Sequence, residues 1–148
     1  MKIQTLLFIA GAFIMGMTMS IYLPMNSSVS KHLGSSITAN ITFFLAALVT
    51  SIVILFLFGD LDSISKVNNV PIYLYLTGFI SAIIVLGTTV FIPYLGARKF
   101  FILLVAGQIV MAIVVSHYGI LESPSDPINV RKLLGASLVI AGAMISVS

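Results

Sequence analysis

Five stretches of this 148-residue chain carry no formal charge, and their lengths decide what it can fold into. Ile3 to Ser30 spans 28 residues, His32 to Gly59 another 28, Val67 to Ala97 31, Phe100 to Leu121 22 and Leu133 to Ser148 16. A helix needs roughly 20 mostly apolar residues to cross about 30 Å of hydrocarbon, and four of the runs exceed that. The fifth is shorter, but Arg131 and Lys132 at its start can snorkel to the interface. The pattern predicts an all-α integral membrane protein with five transmembrane helices, near 3–23, 36–58, 72–93, 98–117 and 131–147, in one domain over 1–148. The first span can run on past Pro24 toward Leu33, bent at the proline, because no charge stops it before Lys31.

Composition removes the competing classes. Charged residues are 7% of the chain and hydrophobic ones 59%, whereas a soluble domain carries about 25% charged residues. So few polar side chains cannot clothe a water-soluble globule. Seven cations against four acids leave a net charge of +3 with no basic patch, so nucleic acid is not an expected partner. Cysteine is absent, which excludes disulfides, thiolate metal sites and cysteine nucleophiles. No nucleophile–base pair, phosphate loop or metal constellation is apparent, so no catalytic residue, cofactor or metal is expected.

Gly59-Asp60-Leu61-Asp62 and the stretch from Glu122 to Pro127 read as loops, and a tight turn is expected over 94–97, after Pro93. Lys2 followed by an apolar run is too long, with four spans behind it, to read as a signal peptide. Five spans put the termini on opposite sides. Lys2, Lys66, Arg131 and Lys132 then share the N-terminal side, with Lys31, Arg98 and Lys99 on the other. The Lys/Arg difference between short loops sets orientation, and four against three is nearly balanced. Either the small excess keeps the N-terminus in the cytoplasm, or the chain inserts both ways and inverted copies pair, reproducing the inverted-repeat logic of secondary transporters.

Six motifs then occur in order: Pro24-x-Asn26, His32-Leu33-Gly34-Ser35, Ile92-Pro93-Tyr94-Leu95-Gly96-Ala97, Ala106-Gly107-Gln108, His117-Tyr118-Gly119-Ile120-Leu121 and Arg131-Lys132-Leu133-Leu134-Gly135. In this register the chain resembles the YdcZ-like (DUF606) family of the drug/metabolite transporter superfamily, over nearly its whole length. The resemblance implies a five-helix protein equivalent to half of a ten-helix transporter with inverted repeats, resident in the bacterial cell (inner) membrane and prone to pair. An acid often precedes the histidine in that family; here the position is Ser116, so a proton-linked role for that acid does not carry over.

No Asp, Glu, Lys or Arg falls centrally in any span. Ionisable groups at membrane depth mark proton and ion pathways, so recognition must rest on neutral dipoles, aromatic faces or helix ends. Gln108, in the middle of the fourth span beside Gly107, either bonds a neighbouring helix or lines a substrate path. Asn26, after Pro24, either caps the segment 27–33 or meets a solute. Tyr22 adjoins the same proline, and Thr88 lies in the third span. These four are the candidate substrate-binding residues. Asn40 reads as packed or interfacial. Tyr73, Tyr75, Tyr94 and Tyr118 read as an interfacial belt. His32 and His117 lie near interfaces, where solvated imidazoles are ordinary and a pH switch is the sharper alternative. Small residues at Ala12, Gly16 and Ser20, at Gly78 and Ala82, and at Gly135 and Gly142 favour close helix packing, inside the chain or between copies.

The expected function is a small secondary transporter moving a small organic solute by alternating access, as a homodimer whose copies are parallel or, if insertion is dual, antiparallel. The alternative is a non-transporting membrane subunit that scaffolds a partner.

Overall fold

The computed structural model describes residues 3–59 and 61–148; the charges expected of Lys2 and Asp60 lie outside these residues. Four α-helices carry the chain: α1 Ile3–Leu33, α2 Ser36–Phe58, α3 Leu76–Tyr118 and α4 Val130–Val147. Short 3-10 turns cover Leu61–Asn69, Ile72–Tyr75 and Ile120–Glu122, and no strand occurs among the described residues. A backbone in hydrocarbon must satisfy its own hydrogen bonds, and the helix does so within one segment.

All four helices are long and apolar enough to cross a membrane, the third counted from Ile72. At 1.5 Å per residue the 43 residues of α3 extend about 64 Å, twice a bilayer core. Gly96 breaks that length. Its φ of 75° and ψ of 151° are non-helical and belong to a region essentially reserved for glycine. The arms 76–95 and 97–118 accommodate the third and fourth expected spans, and the expected turn over 94–97 contracts to this one residue.

α1 takes the longer of its two expected courses, continuing through Pro24 to Leu33. A mid-helix proline forfeits one backbone bond, but leaving the helix in lipid would forfeit several. Asn26 is therefore inside α1 and caps nothing. The corner between α1 and α2 is only Gly34 and Ser35. Gly34 adopts a φ of 67°, and the Ser35 amide donates to the Ser30 carbonyl at 3.2 Å, the six-to-one bond of a Schellman end. Ser35 then caps α2, its Oγ accepting from the Thr38 amide at 3.2 Å.

The chain forms two compact units, 1–94 and 95–148. In the first, the buried residues of α1 are Leu23, Asn26, Ser27 and Ser30, and those of the first arm of α3 are Val85, Thr88, Thr89 and Ile92. Both sets fall at i, i+3, i+4 and i+7, one helical face. Ala39 of α2 is wholly buried, and the Asn40 Nδ2 donates to the Ala82 carbonyl at 3.2 Å, tying α2 to α3. In the second unit the buried residues are Phe100, Ala136 and Ala143. There the Arg98 guanidinium donates to the Ser146 carbonyl at 2.7 Å, satisfying an end carbonyl of α4. At the other end of α4, Asn129 is the cap, its Oδ1 accepting from the Lys132 amide at 2.9 Å.

Candidate functional site

The first unit hides polar side chains and shows apolar ones. Asn26, Ser27, Ser30, Thr88 and Thr89 are all buried, while most large hydrophobic residues of the spans are exposed, Phe8 at 71% and Phe56 at 70% among them. Lipid supplies no hydrophobic drive between helices, so small and polar residues gather where helices meet.

Hydroxyls and amides fare differently along this seam. Thr88 Oγ1 donates to the Val85 carbonyl at 2.7 Å and Thr89 Oγ1 to the Leu86 carbonyl at 2.7 Å. The exposed hydroxyls of Thr18, Ser20, Thr50 and Ser51 likewise donate to carbonyls four residues back. A hydroxyl thus disposes of its proton within its own helix. A carboxamide has too many donors and acceptors for that. Asn26 is 6% exposed, and its Nδ2 is buried without a partner; the Asn40 Oδ1 is buried without one as well. A buried orphan of this kind costs about 1–3 kcal/mol.

Tyr22, one turn before Asn26, stacks on Phe43 of α2 with ring centroids 6.0 Å apart and planes 20° apart. It belongs to an aromatic contact between helices, whereas Tyr73, Tyr94 and Tyr118 are exposed near span ends. Tyr75 donates its hydroxyl to the Val67 carbonyl at 2.7 Å. Two recesses open on the first unit. One, of about 370 Å³, brings Ser30, Lys31, Ser35 and Ser36 together with Thr89 and Tyr94, and the Ser30 and Ser36 hydroxyls bond each other at 2.9 Å. The other, of about 450 Å³, runs between α2 and α3 past Asn40, Phe44, Gly78 and Ala82. The Gly78–Ala82 stripe therefore faces open space.

Tyr22, Asn26 and Thr88 belong to the first unit, and Asn26 and Thr88 lie on its two buried faces. Gln108 belongs to the second unit and is exposed there. Sequence reading missed Ser27, Ser30 and Thr89. With Leu23 and Asn26 on α1, and Val85, Thr88 and Ile92 on α3, they complete the two buried i, i+3, i+4, i+7 faces. His32 and His117 are more than solvated rings: His32 Nδ1 lies 2.8 Å from the Ser28 carbonyl, and His117 Nδ1 accepts from the Ile128 amide at 3.1 Å.

Long apolar helices around a neutral polar seam define a multi-pass integral membrane protein of the all-α class. Residues 7–145 match the drug/metabolite transporter family described as "Putative inner membrane exporter, YdcZ", and the chain belongs to that family. It is accordingly a multi-pass protein of the inner membrane and, as a class, a membrane transporter. No curated protein and no solved structure matches the chain.

Proposed function

We propose that this chain exports a small organic solute by alternating access and works as a pair of copies inserted in opposite orientations. The observation that carries the reading is the buried, unpartnered Nδ2 of Asn26, beside hydroxyls of Thr88 and Thr89 that are satisfied within their own helix. A solute offering a carbonyl, carboxylate or ether oxygen would take that donor and recover what the unpaired amide forgoes. Thr88, one hydroxyl proton committed, retains oxygen lone pairs, and the Tyr22–Phe43 stack offers an aromatic face one turn from Asn26. Gln108 is the corresponding neutral amide of the second unit. No formal charge sits deep in a span, so selection works through dipoles and shape. The outward direction follows the description of the family.

Pairing of inverted copies rests on the near balance of cations, four against three, and on the economy of building an inverted repeat from two identical halves. In liposomes holding only this protein, solute flux is expected. Asn26→Leu should lower it at least tenfold while the variant's melting temperature holds or rises, because the orphan donor is gone. Solutes that raise the melting temperature of the parent protein should fail to raise that of the variant. No flux and no stabilising solute, together with a stable co-purifying protein, would turn the reading to a scaffolding subunit. A Ser148→Cys label added outside intact cells should reach about half the copies if insertion is dual; all or none would discard the inverted pair.

A further inference from the structure

We propose that the segment 119–129 is a lid over a recess of the second unit, latched by His117 and released when that imidazole takes up a proton. The recess, about 260 Å³, has a floor of Ile109, Ala112 and Ile113 on α3, and the segment supplies Asp126 and Ile128 to its rim. Three ties hold the segment down. The Asp126 amide donates to the Ser116 carbonyl at 2.8 Å. Lys132 pairs with the Asp126 carboxylate and donates to the Pro127 carbonyl at 2.9 Å. The Ile128 amide donates to His117 Nδ1 at 3.1 Å.

Only the third tie demands a particular protonation state within the range where imidazoles titrate. An imidazole nitrogen accepts a hydrogen bond only while its lone pair is free. A proton on Nδ1 fills that lone pair and sets N–H against N–H, so the latch must open.

The segment is also built against its own preference. Leu121 and Glu122 have φ values of 59° and 60°, and Gly119 has 61°; left-handed backbone is unfavourable for the two side-chain-bearing residues. Release of the latch lets them relax. The other titratable or charged groups on the elements around His117 are few. On its own helix Tyr118 meets the imidazole edge-on, centroids 4.7 Å apart. Glu122 and Asp126 lie on the segment, and Arg131 and Lys132 on the first turn of α4, with Asp126 and Lys132 already engaged with each other. The device does not depend on which solute the protein carries, and its readout is structural.

The chain has no cysteine, so Ser125→Cys places a single nitroxide on the segment of the full-length protein in liposomes. Its spectrum should be immobilised at pH 8 and mostly mobile at pH 5. His117→Asn, whose Oδ1 replaces Nδ1 as acceptor but gains no proton, should stay immobilised at both values. His117→Phe should be mobile at both. An unchanged spectrum between pH 8 and 5 in the parent background, which needs no histidine variant, would overturn the proposal. So would the same transition persisting in His117→Asn, which assigns the change to another group.

Discussion

The two units bury opposite things. Among the described residues every buried polar side chain belongs to the first: Asn26, Ser27, Ser30, Thr88 and Thr89. The second buries Phe100, Ala136 and Ala143 and keeps its polar contacts at its ends, in the Arg98–Ser146 and His117–Ile128 bonds. Both units must satisfy every amide in hydrocarbon. One takes polarity into its interior at the cost of two orphaned carboxamide atoms, and the other sends it to the interface. An interior that leaves a donor and an acceptor unsatisfied is poorly suited to mere packing and well suited to meeting a guest. The apolar unit is suited to support, with its polar contacts kept at its ends.

Three substitutions break or sharpen this contrast, in descending order of effect. Ala39 has no exposed surface, so Ala39→Leu overfills the seam and should cost about 1–3 kcal/mol of stability, read as a lower melting temperature in detergent. A neutral outcome would mean that the seam is loose. Gly142 tells the opposite story in the second unit. It lines an open groove of about 380 Å³ with Phe101 and Val139, and nothing lies within 4 Å of an added Cβ. Gly142→Ala should therefore stabilise by about 0.5–1 kcal/mol, the helix-propensity gain alone. A loss there would show that another surface covers the groove. Thr88→Val removes a hydroxyl already bonded within its own helix and keeps the shape. Melting should move by less than about 1 kcal/mol equivalent, so a large drop in flux without one would mark the hydroxyl oxygen as a contact of the solute.

Much of the architecture was legible because uncharged length is so restrictive a quantity. The five runs fall on four long apolar helices, the third and fourth sharing α3, and six motifs in register point to the family. The end of α1 was legible only as a choice between a stop near 23 and a run to Leu33, since a proline ends a helix in water and is only a missing bond in lipid. Asn129 as the cap of α4 went unread for a plainer reason: the charges of Arg131 and Lys132 drew the boundary. The seam was harder. A helix apolar all round has no amphipathic direction, so nothing in the sequence of α1 said that Asn26 points inward while Thr18 and Ser20 face out. Two helices had to be laid side by side before the matching spacings of 23, 26, 27, 30 and 85, 88, 89, 92 acquired meaning. Exposure of Gln108 has the same origin, because a glutamine in mid-span looks equally ready to face a neighbour or a path.

The two-residue corner at Gly34 and Ser35 reaches beyond stability. A turn that short leaves no slack to emerge from the headgroups, so that side offers no handle there for a protease, an inserted epitope or an antibody. Mapping of this region must be done with reagents small enough to reach a single thiol at the lipid surface. A fusion placed there would report on a broken hairpin instead of on the protein.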